Sequence, residues 1–213
     1  MSMTVNYVRV PGDHIELLQK DLVEAWHDLN LNLNAYYRDT HPALDILLHE
    51  LPGDVETLNM NDPAALAWLV SPLKREESKV TGPRVKRDSW PAIDLPLVAI
   101  EGRAVAIEGR DALRVPAVNF GLGEGMAFDP TTVQKLSAAL SQITLDDLLR
   151  NFDYDTMQRI DLPGFGAPGF DKDEERATEE RLARESFGHE LRELQEFYHR
   201  AAASGQYVIV AFA

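Results

Sequence analysis

Along the chain the apolar positions change period several times, and each change marks an element. Thr4–Val10, TVNYVRV, is rich in β-branched and aromatic residues and stops at Pro11-Gly12, which predicts a strand. From Asp13 the period becomes helical. Ile15, Leu18, Leu22, Trp26 and Leu29 recur three or four apart, and Asp13 with Glu16 has capping-box spacing. NLNLN at 30–34 ends this helix, because asparagine side chains compete for the backbone. A second helix is expected from Thr40 through Leu51, stopped by Pro52-Gly53. A third runs from Asp62-Pro63 to Val70, closed by Ser71-Pro72.

Periodicity then weakens. Residues 72–91 are charged, hold Gly82-Pro83, and read as a long surface connection. AIEGR occurs twice, at 99–103 and 106–110. VAIEGRAVAI fits a hairpin turning at Gly102-Arg103. Asp129-Pro130 caps a helix through Val133, Leu136 and Leu140, and Thr144 with Asp147 caps the next. LPGFGAPGF at 162–170 is a loop. A long charged helix follows over 171–203, with a break expected near Gly188. YVIVAFA, 207–213, is too apolar to sit exposed on an edge, so it reads as a buried strand paired with Thr4–Val10. The expected fold is α+β, a mixed β-sheet holding the N- and C-terminal strands and packed by several helices, in one domain over 1–213.

NFGLGEGMAFDP, Asn119–Pro130, carries glycines at 121, 123 and 125. A dinucleotide fingerprint needs GxGxxG with a helix starting inside the loop. Here the glycines run GxGxG and the next helix signal comes four residues after Gly125; no Gly-Lys-Ser/Thr follows either. The stretch reads as a tight connection.

Charge changes the picture most. The net charge is −14, yet residues 71–88 are +3, so the remainder is −17. Such a chain repels nucleic acid and anionic lipid and favours cationic partners. It has no cysteine, hence no disulfide and no thiolate chemistry. It shows neither a signal-peptide pattern at its start nor an apolar run of about 18 residues, so a cytoplasmic protein off the membrane is expected. The six histidines form no HExxH or HxH, and no GxSxG occurs. His189, Glu193, Glu196 and His199 share a helical stripe that reads as a solvated charged face. No catalytic residue, metal or cofactor is expected.

The residues singled out as a candidate pocket or partner-binding set are Tyr7, Arg9, Trp68, Asn119, Phe120, Gly121 and Gly123. Tyr7 and Arg9 lie two apart, on one face of a strand. Arg9 is the most informative, because an arginine in an apolar strand requires a partner.

MSMTVNYVRV, GLGEGMAFDPTTVQKLSAALSQITLDDLLRNFDYDTM and ELQEFYHRAAASGQYVIVAFA together resemble the YfbM-like family, a bacterial family of unknown function. The resemblance covers about Met1–Leu29 and Val115–Ala213 and implies an α+β fold. Members often carry a Trp-His element, whereas AWHDL at 25–29 lies early and LAWLVSP has no histidine. The resemblance implies no activity and transfers no catalytic residue.

Two functional expectations follow. One is a non-enzymatic interaction protein, an acidic immunity-type protein that neutralises a basic partner. The other is a small-molecule-binding protein, or an enzyme without a recognisable motif, with Tyr7, Arg9, Trp68 and Asn119–Gly125 around its pocket. An Arg9 neutralised by a buried carboxylate would deprive the second of its best residue.

Overall fold

A computed structural model describes residues 4–13, 15, 54–61, 63–79, 94–102, 118–119, 124–162 and 173–212. The elements in chain order are β1 (Thr4–Val10), β2 (Glu56–Asn61), α1 (Ala64–Val70), α2 (Pro72–Lys79), α3 (Leu95–Glu101), β3 (Val118–Asn119) and β4 (Glu124–Phe128). Then follow α4 (Pro130–Leu140), α5 (Leu145–Asn151), α6 (Tyr154–Arg159), α7 (Asp173–Ala203) and β5 (Tyr207–Phe212).

The strands form one sheet in the order β2-β1-β5-β4-β3. All four described ladders are antiparallel, so the sheet expected to be mixed is antiparallel over these residues. The two terminal strands lie side by side, as expected, with Tyr7 opposite Val210 and Arg9 opposite Val208. The last strand of the chain is central, flanked by β1 and β4.

Strand alternation sorts the residues into two faces. Val5, Tyr7, Met60, Phe128, Val208 and Val210 point to the same side and join the helices in the main core, with Leu66, Ile100, Leu136, Leu194 and Phe197 among their companions. Val8, Val10, Ala127 and Ile209 point to the other side and are buried as well.

Several caps stand where the sequence placed them. Asp129 accepts the Thr132 N–H at 2.9 Å, with Pro130 at the first helical position. Thr144 and Asp147 form a complete capping box on α5. Of the helix expected from Asp13, only its start at Gly12, Asp13 and Ile15 is described; the helix expected from Thr40 lies outside the described residues.

Three readings are corrected and one strand is added. Residues 72–79, assigned to a charged connection, are the helix α2. Ser71 Oγ accepts the Lys74 N–H at 3.3 Å, and Leu73 is buried in the core. PLKREESK has Leu73 as its one aliphatic residue besides the proline, too weak a period to see. The hairpin expected around Gly102 is instead the helix α3 and its C-cap. Asp94 caps α3 by accepting the Leu97 N–H, Pro96 lies in the first turn, and Gly102 is left-handed at φ 60°. Leu97, Val98, Ala99, Ile100 and Glu101 are all buried, and a short apolar run buried on every side has no period to distinguish helix from strand. α7 continues through Gly188, because Phe187 and Leu191 pack into the core on either side and packing overrides one glycine's cost of about 1 kcal/mol. Finally, β2 went unassigned in the sequence. Its segment ETLNMN has only two apolar residues and two asparagines, a type depleted from strands.

Candidate functional site

Arg9 sits where β1, β2 and the α7–β5 turn meet, and only 8% of it is exposed. Its Nε donates to Glu56 at 2.6 Å. Nη1 donates to Asp54 at 2.8 Å and to Gln206, and Nη2 reaches the second Asp54 oxygen at 3.0 Å. The Arg9–Asp54 pair is a two-pronged fork, the strong geometry for guanidinium and carboxylate. Glu56 lies directly opposite Arg9 in the β1–β2 ladder and also accepts from Arg200 of α7. The Arg200 hydrogen bond, with that of Arg9, holds the Glu56 carboxyl below its usual range against the opposing effect of burial. Burial alone would lower the Arg9 guanidinium, but its hydrogen bonds to Asp54 and Glu56 raise it. The cation is thus matched within the protein, by two carboxylates and an amide.

Tyr7 and Tyr198 perform a second internal task. The final carbonyls of a helix have no partner within it. Tyr7 donates its hydroxyl to the Ile100 carbonyl, and Tyr198 donates to the Ala99 carbonyl at 3.0 Å. Both rings are fully buried and meet edge-on, with centroids 6.5 Å apart. Burial, then the charges of Glu101 and Glu190, push the Tyr7 phenol far above its ordinary value; burial does the same to Tyr198. Neither phenol ionises near neutral pH, so both serve as donors.

A third polar group joins α2 to α3. Ser71 Oγ donates to Asp94 at 2.6 Å, so the cap of one helix is tied to the cap of the next. Lys74 pairs with the buried Glu101 at 3.3 Å.

The residues chosen from the sequence are therefore not gathered into one site. Tyr7 and Trp68 belong to the core cluster. Arg9 shares the strand face of Tyr7 but ends in its own ion network. Asn119 is in β3, opposite Glu124 of β4. Phe120, Gly121 and Gly123 lie outside the described residues. Because β3 pairs with β4, Gly121 and Gly123 fall in the sequence between two strands and Gly125 lies in β4, unlike the strand-to-helix setting a dinucleotide loop needs.

What sequence inspection did not localise is the outer surface of α5, α6 and α7. Asp146, Asp153, Asp161, Glu175, Glu179 and Glu193 are all exposed there. Several carboxylates are matched: Asp155 and Glu180 by Arg176 at 2.6 and 3.2 Å, and Glu185 by Arg181 at 2.8 Å. His189 lies 3.4 Å from Glu193, in keeping with a solvated charged stripe. Asp146, Asp161, Glu175 and Glu179 have no ion-pair partner among the described residues. The exposed face of α4 differs: Thr131, Gln134, Lys135 and Ala138 include no carboxylate. Among the described residues no group of three or more His, Asp or Glu could hold a metal ion. None of the described helices is long and apolar enough to cross a membrane.

Comparison with known proteins bears out the resemblance read from the sequence. The crystal structure of YfbM from Escherichia coli, a protein of unknown function, superposes with a TM-score of 0.56 over 99% of each chain at 11% identity, which shows a shared fold. No curated protein matches the chain. The family model described as "Domain of unknown function (DUF1877)" matches residues 1–211, and the chain belongs to that family.

Proposed function

We propose that this chain is a cytoplasmic, non-enzymatic interaction protein of the immunity type, whose acidic surface captures and neutralises a basic protein. The observation that carries this reading is the set of exposed carboxylates on α5–α7 without ion-pair partners among the described residues, in a chain of net charge −14. Complementary charge accelerates capture and selects the partner. The polar groups of the interior have structural work instead: Arg9 makes four hydrogen bonds within the chain, the two tyrosines close α3, and Ser71–Asp94 links two caps. The alternative of a small-molecule site draws no support from Arg9, whose donors already face Asp54, Glu56 and Gln206.

The test is purification of the tagged full-length chain from the cells that make it, first at low ionic strength and then in about 1 M salt, where the screening length falls to about 3 Å. The expected result is one basic protein at a stoichiometric ratio, released by salt, toxic when expressed alone and harmless when co-expressed. Recovery of the chain by itself at both salt concentrations would overturn the proposal.

A further inference from the structure

Strands are poor in asparagine, whose side chain competes for the backbone. On one face of this sheet stand three. Asn6 of β1 lies directly opposite Asn59 of β2, and Asn61 follows two residues along β2, a spacing that keeps it on the same side. This is the face turned away from the main core, shared with Val8, Val10, Ala127 and Ile209. Residues directly opposite in a ladder have Cβ atoms about 4.5–5.5 Å apart, so the carboxamides of Asn6 and Asn59 are neighbours.

The two differ in depth. Asn59 is exposed, whereas Asn6 is only 7% exposed. Neither side chain has a hydrogen-bond partner among the described residues. In this Asn6 stands apart. The other buried polar side chains described, Arg9, Ser71, Asp94, Glu101, Thr132 and Gln206, are each engaged by another side chain. A buried amide left unpaired costs stability, and a native fold retains one where something outside the chain satisfies it. Such a break with local rules is the mark of a functional position.

The surroundings select the chemistry. In a chain of net charge −14, the described side chains of this face include none that is charged. An ion would lose its hydration there and meet no counter-charge. A carboxamide offers an N–H donor beside a carbonyl acceptor, and its two-pronged complement is another amide edge.

We infer that Asn6 and Asn59 form a binding site for a neutral ligand bearing a primary amide or a ring lactam. Asn6 Nδ2 donates to the ligand carbonyl and Asn6 Oδ1 accepts the ligand N–H, while Asn59 holds the solvent side. The site goes beyond the reading above and uses none of the carboxylates assigned to partner capture.

The test is an NMR titration of the 15N-labelled full-length chain with acetamide and, separately, with acetate, which has the same shape but carries charge and no N–H. Acetamide is expected to move the side-chain amide signals of Asn6 and Asn59 saturably, with a Kd on the order of 10 mM for so small a probe. Acetate should leave them in place. Asn59→Ala, at an exposed position, should weaken acetamide binding about threefold, the loss of one hydrogen bond, with the thermal melt unchanged. Asn6→Leu puts an apolar group of similar shape where the amide stood. It should abolish the response and raise Tm by about 2–4 °C, because no internal hydrogen bond is lost. A lower Tm for Asn6→Leu would show the amide satisfied within the fold or by a bound water, and overturns the inference. So does the absence of a saturable acetamide shift, or an equal response to acetate.

Discussion

Gly102 is the position where one added methyl group should tell most about how the sheet and helices are locked together. It caps α3 in the left-handed region, at φ 60°. A Cβ built there would lie 2.6 Å from Val210 Cγ1 and 2.7 Å from Val210 Cβ. Val210 is fully buried in β5, between β1 and β4, and cannot step aside. Gly102→Ala therefore carries two costs. The left-handed backbone costs a non-glycine residue about 1 kcal/mol, and overpacking a tight core adds about 1–3 kcal/mol. Gly205 supplies the control. Its φ is 61°, but a Cβ there would meet nothing within 4 Å, so Gly205→Ala carries the backbone cost alone. Urea denaturation followed by circular dichroism should show Gly205→Ala losing about 1 kcal/mol and Gly102→Ala about 2–4 kcal/mol. For a chain of this size the corresponding falls in Tm are about 2–4 °C and about 4–16 °C. Adding Val210→Ala should cost less in the Gly102→Ala background than in the wild type, because it removes the Cγ1 contact and leaves only the one with Cβ. Equal losses for the two glycine variants would refute the claim that β5 is packed against the end of α3.

Three further outcomes are expected. Tyr198→Phe leaves the Ala99 carbonyl without its buried donor and should lower stability by about 1–3 kcal/mol in the same denaturation assay. Asp161 is a non-glycine residue at φ 53°, just past α6, so Asp161→Gly should raise stability by about 0.5–1 kcal/mol, seen as a higher urea midpoint at unchanged m-value. Burial pushes the Glu190 carboxyl above its usual range, helped by Glu193 and opposed by the Ser186 hydroxyl and His189. A raised carboxyl favours the protonated fold, a contribution present below the unfolded pKa near 4.3 and lost as pH rises through the folded value. Glu190→Gln should therefore stabilise the protein at pH 7 and lose that advantage at about pH 4, as thermal melts at the two pH values would show.

How much could be read in advance depended on where each signal resides. Terminal strand pairing was legible because TVNYVRV and YVIVAFA each carry a strong local strand pattern. The caps at Asp129 and Thr144 were legible because a cap is set by residues within four positions of one another. α3 was misread because five consecutive buried residues erase periodicity, and the apparent turn glycine was a helix cap. β2 was invisible because its pairing with β1 is a long-range contact that leaves little local trace. For the candidate site, Arg9 was rightly marked as needing a partner, but Asp54, Glu56 and Gln206 come from two distant segments that no spacing rule connects. The acidity was visible as a total charge. Its position on α5–α7 required the packing of α7 to show which half of that helix is buried.

The central claim, that an acidic surface holds a basic protein, is tested most directly by the size of the native protein in a clarified cell extract, detected by antibody after gel filtration. The chain alone has a mass of 23.9 kDa. The account predicts elution as a larger species at low ionic strength and a shift to the single-chain size in about 1 M salt, where screening removes the attraction. Elution at the single-chain size under both conditions would contradict it.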